Sequence, residues 1–165
     1  MKLPRFVSLL HIALCGALLA LGSIAFAQAP MPYGAPISLD QAKKAMAAAE
    51  AEAKKNNWPV SITIVDSGGN VVMLQKLDNT QHASVAIATG KATTANNFRR
   101  PSKALEDVVA GGGAGLRLLR VDGLTPLEGG VPIVIDGKIV GGIGVSGVTS
   151  QQDAQVAKAG ADAVK

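Results

Sequence analysis

Two apolar runs, Val131 to Ile135 and Ile139 to Val145, flank Asp136-Gly137. An Asp-Gly pair between apolar runs predicts a β-hairpin, because a type I′ turn needs φ > 0 at both central residues. That turn sets an expected register. Ile135 faces Lys138, Ile133 faces Val140, Val131 faces Gly142, Gly130 faces Ile143 and Gly129 faces Gly144. The glycines gather at the open end of the hairpin. Bare backbone in a strand marks close approach by another backbone or by a ligand. A helix packed tightly on the patch and a flat ligand lying there both fit.

Elsewhere the periodicity changes with position. Ser38-Leu39-Asp40-Gln41 is a capping box opening an alanine-rich helix to about Asn57, with Leu39, Ala42, Met46, Ala49 and Ala53 on one stripe. Lys43, Lys44, Glu50, Lys54 and Lys55 read as its solvated face. Val60, Ile62 and Ile64 alternate with Ser61 and Thr63, which predicts a half-buried strand. Asp66-Ser67-Gly68-Gly69-Asn70 is a turn, and Val71 to Leu77 is the return strand. A helix follows over Ser84 to Asn97, with Val85, Ala88, Ala92 and Ala95 on one face. Ser102 opens a short helix ending at Gly111-Gly112-Gly113, and Leu116 to Val121 reads as a further strand or a turn. Ser150-Gln151-Gln152-Asp153 caps a closing helix. Hairpins interleaved with helices predict an α+β fold: one antiparallel sheet of about five strands, with helices packed on it.

The start of the chain alters this picture. Lys2 and Arg5 precede a largely apolar stretch, Phe6 to Ile24, and Ala25-Phe26-Ala27 is a small-x-small cleavage signal. This is the pattern of a secretory leader, residues 1–27, and it predicts a periplasmic or secreted protein. Cys15 falls within the leader, so the mature chain has no cysteine and no disulfide. Residues 28–37 form a loose lead and residues 38–165 a single domain. Loss of Lys2 and Arg5 lowers the net charge from +4 to +2. Few aromatics and no basic stripe with stacking residues argue against nucleic acid. A core of small side chains buries little area per residue, which favours a homo-oligomer.

Gly142-Ile143-Gly144-Val145-Ser146-Gly147 spells a dinucleotide fingerprint, but its strand partner is a hairpin neighbour rather than a parallel βαβ unit. His82 is the only histidine of the mature chain, which excludes multi-histidine metal sites and ordinary zinc sites. A single imidazole suits one axial bond to haem iron, because the porphyrin supplies the other ligands. The plainer reading of His82 is a polar cap residue at a helix start. Lys91, Arg99, Arg100 and Lys103 place four positive charges with no acid until Glu106. Such a run suits carboxylates, whether haem propionates or a small organic acid, and also suits a solvated surface. Glu128, beside the glycine patch, reads as an acid/base group or a loop charge.

Val65 to Asn70, Gly90-Lys91-Ala92 with Thr94-Ala95, Phe98 and Pro101, Gly129 to Ile133 and Gly141 to Gly147 together resemble the GlcG/HbpS family. The same domain ends the PduO corrinoid proteins. The resemblance spans about Leu39 to Val164 and implies an oligomeric α+β protein. Exported members such as HbpS bind haem, and the domain is often labelled haem-binding or haem-degrading. GlcG sits with glycolate use. Members use either a histidine near this position or a threonine as axial ligand, which makes His82 and Thr94 the candidates here. The expected function is exported haem binding for sequestration, sensing or iron handling, with haem degradation among the family's labels. His82 would hold the iron. Lys91, Thr94, Phe98, Arg99, Arg100, Gly129 and Gly130 would contact the cofactor. Two other functions stay open: an enzyme or carrier for a small hydroxy or keto acid such as glycolate, and a structural oligomer without ligand.

Overall fold

The computed structural model describes residues 30–164. The expected leader, with Cys15, lies outside them. The elements run α1 (Leu39–Lys55), β1 (Ser61–Asp66), β2 (Val71–Lys76), α2 (Ser84–Asn97), α3 (Lys103–Ala110), a 3₁₀ helix (Gly113–Arg120), β3 (Gly130–Ile135), β4 (Lys138–Ser146) and α4 (Ser150–Asp162). The four strands form one antiparallel sheet in the order β2-β1-β4-β3. The α+β class is as expected, but no fifth strand forms among the described residues. Leu116 to Val121 falls largely within the 3₁₀ helix instead. Its leucines Leu116 and Leu119 recur at a spacing of three, the 3₁₀ period, rather than the strand's two.

Asp136 and Gly137 take φ of 49° and 71°, as a type I′ turn requires. The register beyond the turn differs from expectation. Ile135 pairs with Lys138 and Val134 with Ile139, but Ile133 pairs with Gly141, leaving Val140 unpaired. Past this bulge Pro132 pairs with Gly142, Val131 with Ile143 and Gly130 with Gly144. One extra residue shifts every later pair, and it decides which glycines share a face. The bare patch survives, built from Gly130, Gly142 and Gly144, with Gly129 just beyond the strand.

Helix α2 occupies that patch. A Cβ on Gly130 would lie 2.2 Å from the Lys91 carbonyl oxygen, one on Gly142 2.5 Å from that of Ala92, and one on Gly144 2.1 Å from that of Ala88. Any side chain there would push the helix off the sheet. β1 lines the same floor and is buried on both faces, not half-buried. Its small polar residues face α2: Thr63 Oγ1 lies 3.2 Å from Thr89 Oγ1.

The other face of the sheet carries α1 and α4. Ile62, Ile64, Ile143 and Val145 meet Ala42, Ala45, Met46 and Ala49 of α1 and Val156 and Ala157 of α4 in one core. The α1 capping box forms as expected, but Leu39 is 53% exposed, so the buried stripe begins at Ala42. The α4 cap is Thr149, boxed with Gln152, one residue before the expected Ser150. The lead is tied down rather than loose. Gly34 N donates to Ile139 O, Ile139 N to Pro32 O and Ile37 N to Val140 O, at 2.8–2.9 Å. Ile37 joins the core.

Gly144→Ala is expected to cost at least about 2 kcal/mol in urea unfolding, because the new methyl meets helix backbone that cannot yield. Gly137→Ala, strained in φ but with open space around it, is expected to cost about 1 kcal/mol. Equal losses would contradict the packing described.

Candidate functional site

Apart from Gly129 and Gly130 at the start of β3, the expected ligand-binding residues lie along α2 and at its two ends. His82 sits in the turn before the helix, exposed, with no hydrogen-bond or ion-pair partner among the described residues. Lys91 lies mid-helix on the face turned to the hairpin and is 2% exposed. Its Nζ donates to Asp153 Oδ2 at 2.8 Å and to the Val145 carbonyl at 3.0 Å. Asp153 Oδ1 accepts from Val148 N at 3.2 Å. Burial pushes the Asp153 carboxyl above its usual range, and the bond from Lys91 opposes that rise. A Cβ on Gly129 would sit 2.8 Å from Lys91 Nζ. Gly129 and Gly130 therefore admit a lysine head and a helix backbone, leaving no open floor for a flat ring.

Thr94 is also committed. It is fully buried, and its Oγ1 accepts from Thr125 N at 2.8 Å. Phe98, half-buried, caps the C-terminal end of α2. Arg99 takes φ 54° and stacks over Tyr33, 5.5 Å from the ring centroid. Tyr33 in turn donates its hydroxyl hydrogen to Asn96 O at 2.9 Å. Arg100 is exposed and donates from Nε to Phe98 O at 3.0 Å. Lys103 pairs with Asp107. The four positive charges thus do not form one cluster: Lys91 is interior, Lys103 is paired on α3, and only Arg99 and Arg100 remain together.

Distance separates the remaining candidates. α2 has 14 residues, about 21 Å at 1.5 Å per residue. His82 precedes its start and Arg99 and Arg100 follow its end. His82 and the Arg99–Arg100 pair therefore sit at opposite ends of α2. His82 fits an axial role, as an accessible, unpartnered imidazole; Lys91 and Thr94 do not fit a ligand role without displacing their partners. None of three surface cavities is lined by His82, Arg99 or Arg100. One, of about 560 Å³, lies between α1 and β2 beside Trp58. A second, of about 250 Å³, lies by the lead. A third, of about 390 Å³, is mainly apolar and runs between α4 and edge strand β3. Glu128 is half-buried, and its Oε2 is enclosed without a hydrogen-bond partner among the described residues.

Asp153 was not among the expected site residues. Its signal was present: a carboxylate in line with Val156, Ala157 and Gly160 on the buried stripe of α4. A charge on an apolar stripe calls for an interior partner.

Lys91→Met leaves Asp153 buried without its cation, so chemical denaturation at neutral pH should show a loss of about 3–5 kcal/mol. The folded pKa of Asp153 is raised above its ordinary 3.8, so the carboxyl opposes folding only once ionised. The deficit of Lys91→Met should therefore be smallest near pH 4 and widen as pH rises through the folded pKa. Lys91→Met with Asp153→Leu should recover most of it.

The family described as "Haem degrading protein HbpS-like" matches residues 37–162. Protein GlcG of Escherichia coli K12 is 45% identical over 110 residues, covering 67% of this chain and 81% of GlcG. The crystal structure of HbpS superposes with a TM-score of 0.74 at 32% identity, over 82% of this chain and 94% of that one. The PduOC:heme complex superposes at 0.72 and 28% identity, over 79% of this chain and 96% of that one. With a match over most of its length and the same α+β architecture, this chain belongs to the HbpS-like family, together with GlcG and the PduO C-terminal domain.

Proposed function

We propose that this chain is an exported haem-binding protein that sequesters or senses haem, with His82 as the axial ligand. The observation that carries the reading is its likeness to a domain solved as a haem complex, across 79% of this chain. The exposed, unpartnered imidazole at the start of α2 supports it from within this chain. Bound haem would supply a redox-active iron with one axial position met by the protein. Arg99 and Arg100, at the other end of α2, are the exposed cations that would meet haem carboxylates. The leader pattern at residues 1–27 supports export. The small-acid alternative loses its main support, because the basic run is divided between interior and surface.

Titration of the chain from Gln28 with hemin, followed by absorption, is expected to give a shifted Soret band. His82→Ala should abolish the shift or weaken binding at least about tenfold. No shift in the wild type, or an unaltered shift in His82→Ala, would remove the ligand assignment. Thermal stabilisation by small hydroxy acids, with none by haem, would transfer the function to the small-acid reading.

A further inference from the structure

We propose that the cavity between α1 and β2 binds a neutral saccharide, with Trp58 as the plate on which the sugar ring stacks. The cavity measures about 560 Å³, within the roughly 300–1,000 Å³ of small-ligand sites. Trp58 is the only tryptophan of the chain. It is half-buried, packs against the core and lines the cavity. An indole is a rigid apolar plate with one polar edge. The N–H on that edge has no hydrogen-bond partner among the described residues.

Backbone bonds fix the walls. Trp58 N donates to Ala53 O at 2.9 Å, which ties the plate to the last turn of α1. Leu77 N donates to Val60 O at 3.0 Å, which holds the end of β2 alongside. Asn57 and Asn79 line the cavity from the turns that follow α1 and β2, with φ of 57° and 62°. Left-handed backbone is uncommon outside glycine, and such conformations gather where a ligand is clamped. Two of them border this one cavity.

The polar groups select the ligand. Lys54 Nζ lies 2.6 Å from Glu50 Oε1. Bonds from Lys54 and from Gln75 hold the Glu50 carboxyl below its usual range, so it stands as an ionised acceptor. The side chains of Asn57, Asp78 and Asn79 have no partner among the described residues. An amide offers donors and an acceptor together, and so does a hydroxyl-bearing ligand. Two acids, Glu50 and Asp78, are matched by two lysines, Lys54 and Lys76, so the lining as a whole favours neither an anion nor a cation. A pyranose is neutral, carries hydroxyls around its rim and presents a flat face of C–H groups to an indole. It therefore answers the plate and the amides together. His82 does not line this cavity, so the site is separate from the proposed haem ligand.

The test follows Trp58 emission on the chain from Gln28 during titration with glucose, galactose, maltose and cellobiose, with glycerol as the control. At least one sugar should give a saturable change at about millimolar concentration or below and shield the indole from acrylamide quenching. Glycerol should do neither. Gln75→Ala should weaken the binding about tenfold with unchanged circular dichroism, the worth of one hydrogen bond. Asn79→Gly removes an amide while keeping the left-handed backbone, and should weaken it to a similar degree. Lys158→Ala, beside the third cavity, should bind as the wild type does. No saturable change with any of the four sugars, undiminished affinity in both amide variants, or a response to glycolate in place of the sugars would each overturn the proposal. None of these readouts uses hemin, so they leave the His82 assignment to its own titration.

Discussion

The contact between α2 and the side-chain-free backbone of β3 and β4 governs this structure. Gly130, Gly142 and Gly144 let three carbonyls of one helix descend onto the sheet to distances that no Cβ tolerates. Small residues on the helix, Ala88 and Ala92, match the bare floor, and Thr63 and Ser146 complete it with hydroxyls. Dispersion over such a close interface compensates for the modest apolar area each small side chain brings.

The same closeness decides what becomes of Lys91. A lysine on the sheet-facing side of a helix seated this low has no route to solvent. It is held instead by Asp153 from α4 and by the Val145 carbonyl at the end of β4. Three elements meet at that ammonium group: the helix, the central strand and the closing helix. A buried pair is costly to form and far more costly to break. Its role here is to fix how α4 begins relative to the open end of the hairpin.

With the glycine floor filled, the candidate residues that remain accessible lie at the two ends of α2. His82 stands at one end of α2. Arg99, propped on Tyr33, stands at the other with Arg100. The leucines of the 3₁₀ helix stand apart from both. Relatives in the HbpS-like family share this scaffold.

The residues by themselves determined the local chemistry. The capping box at Ser38, the Asp-Gly turn at residue 136, the span of α2 and the gathering of glycines at one hairpin end follow from interactions within a few positions. Family membership was legible for the same reason, since its motifs are short turns and glycine-rich strand segments. Tertiary structure alone decided the rest. The bulge at Val140 shifted the register, because the sheet's need to present glycines to α2 outweighed simple counting from the turn. The partner of Lys91 lies 62 residues away, and no local pattern joins them. His82 and Arg99 look near in sequence, yet a helix about 21 Å long lies between them. Spacing along a chain becomes distance only once the fold has fixed the element that spans it.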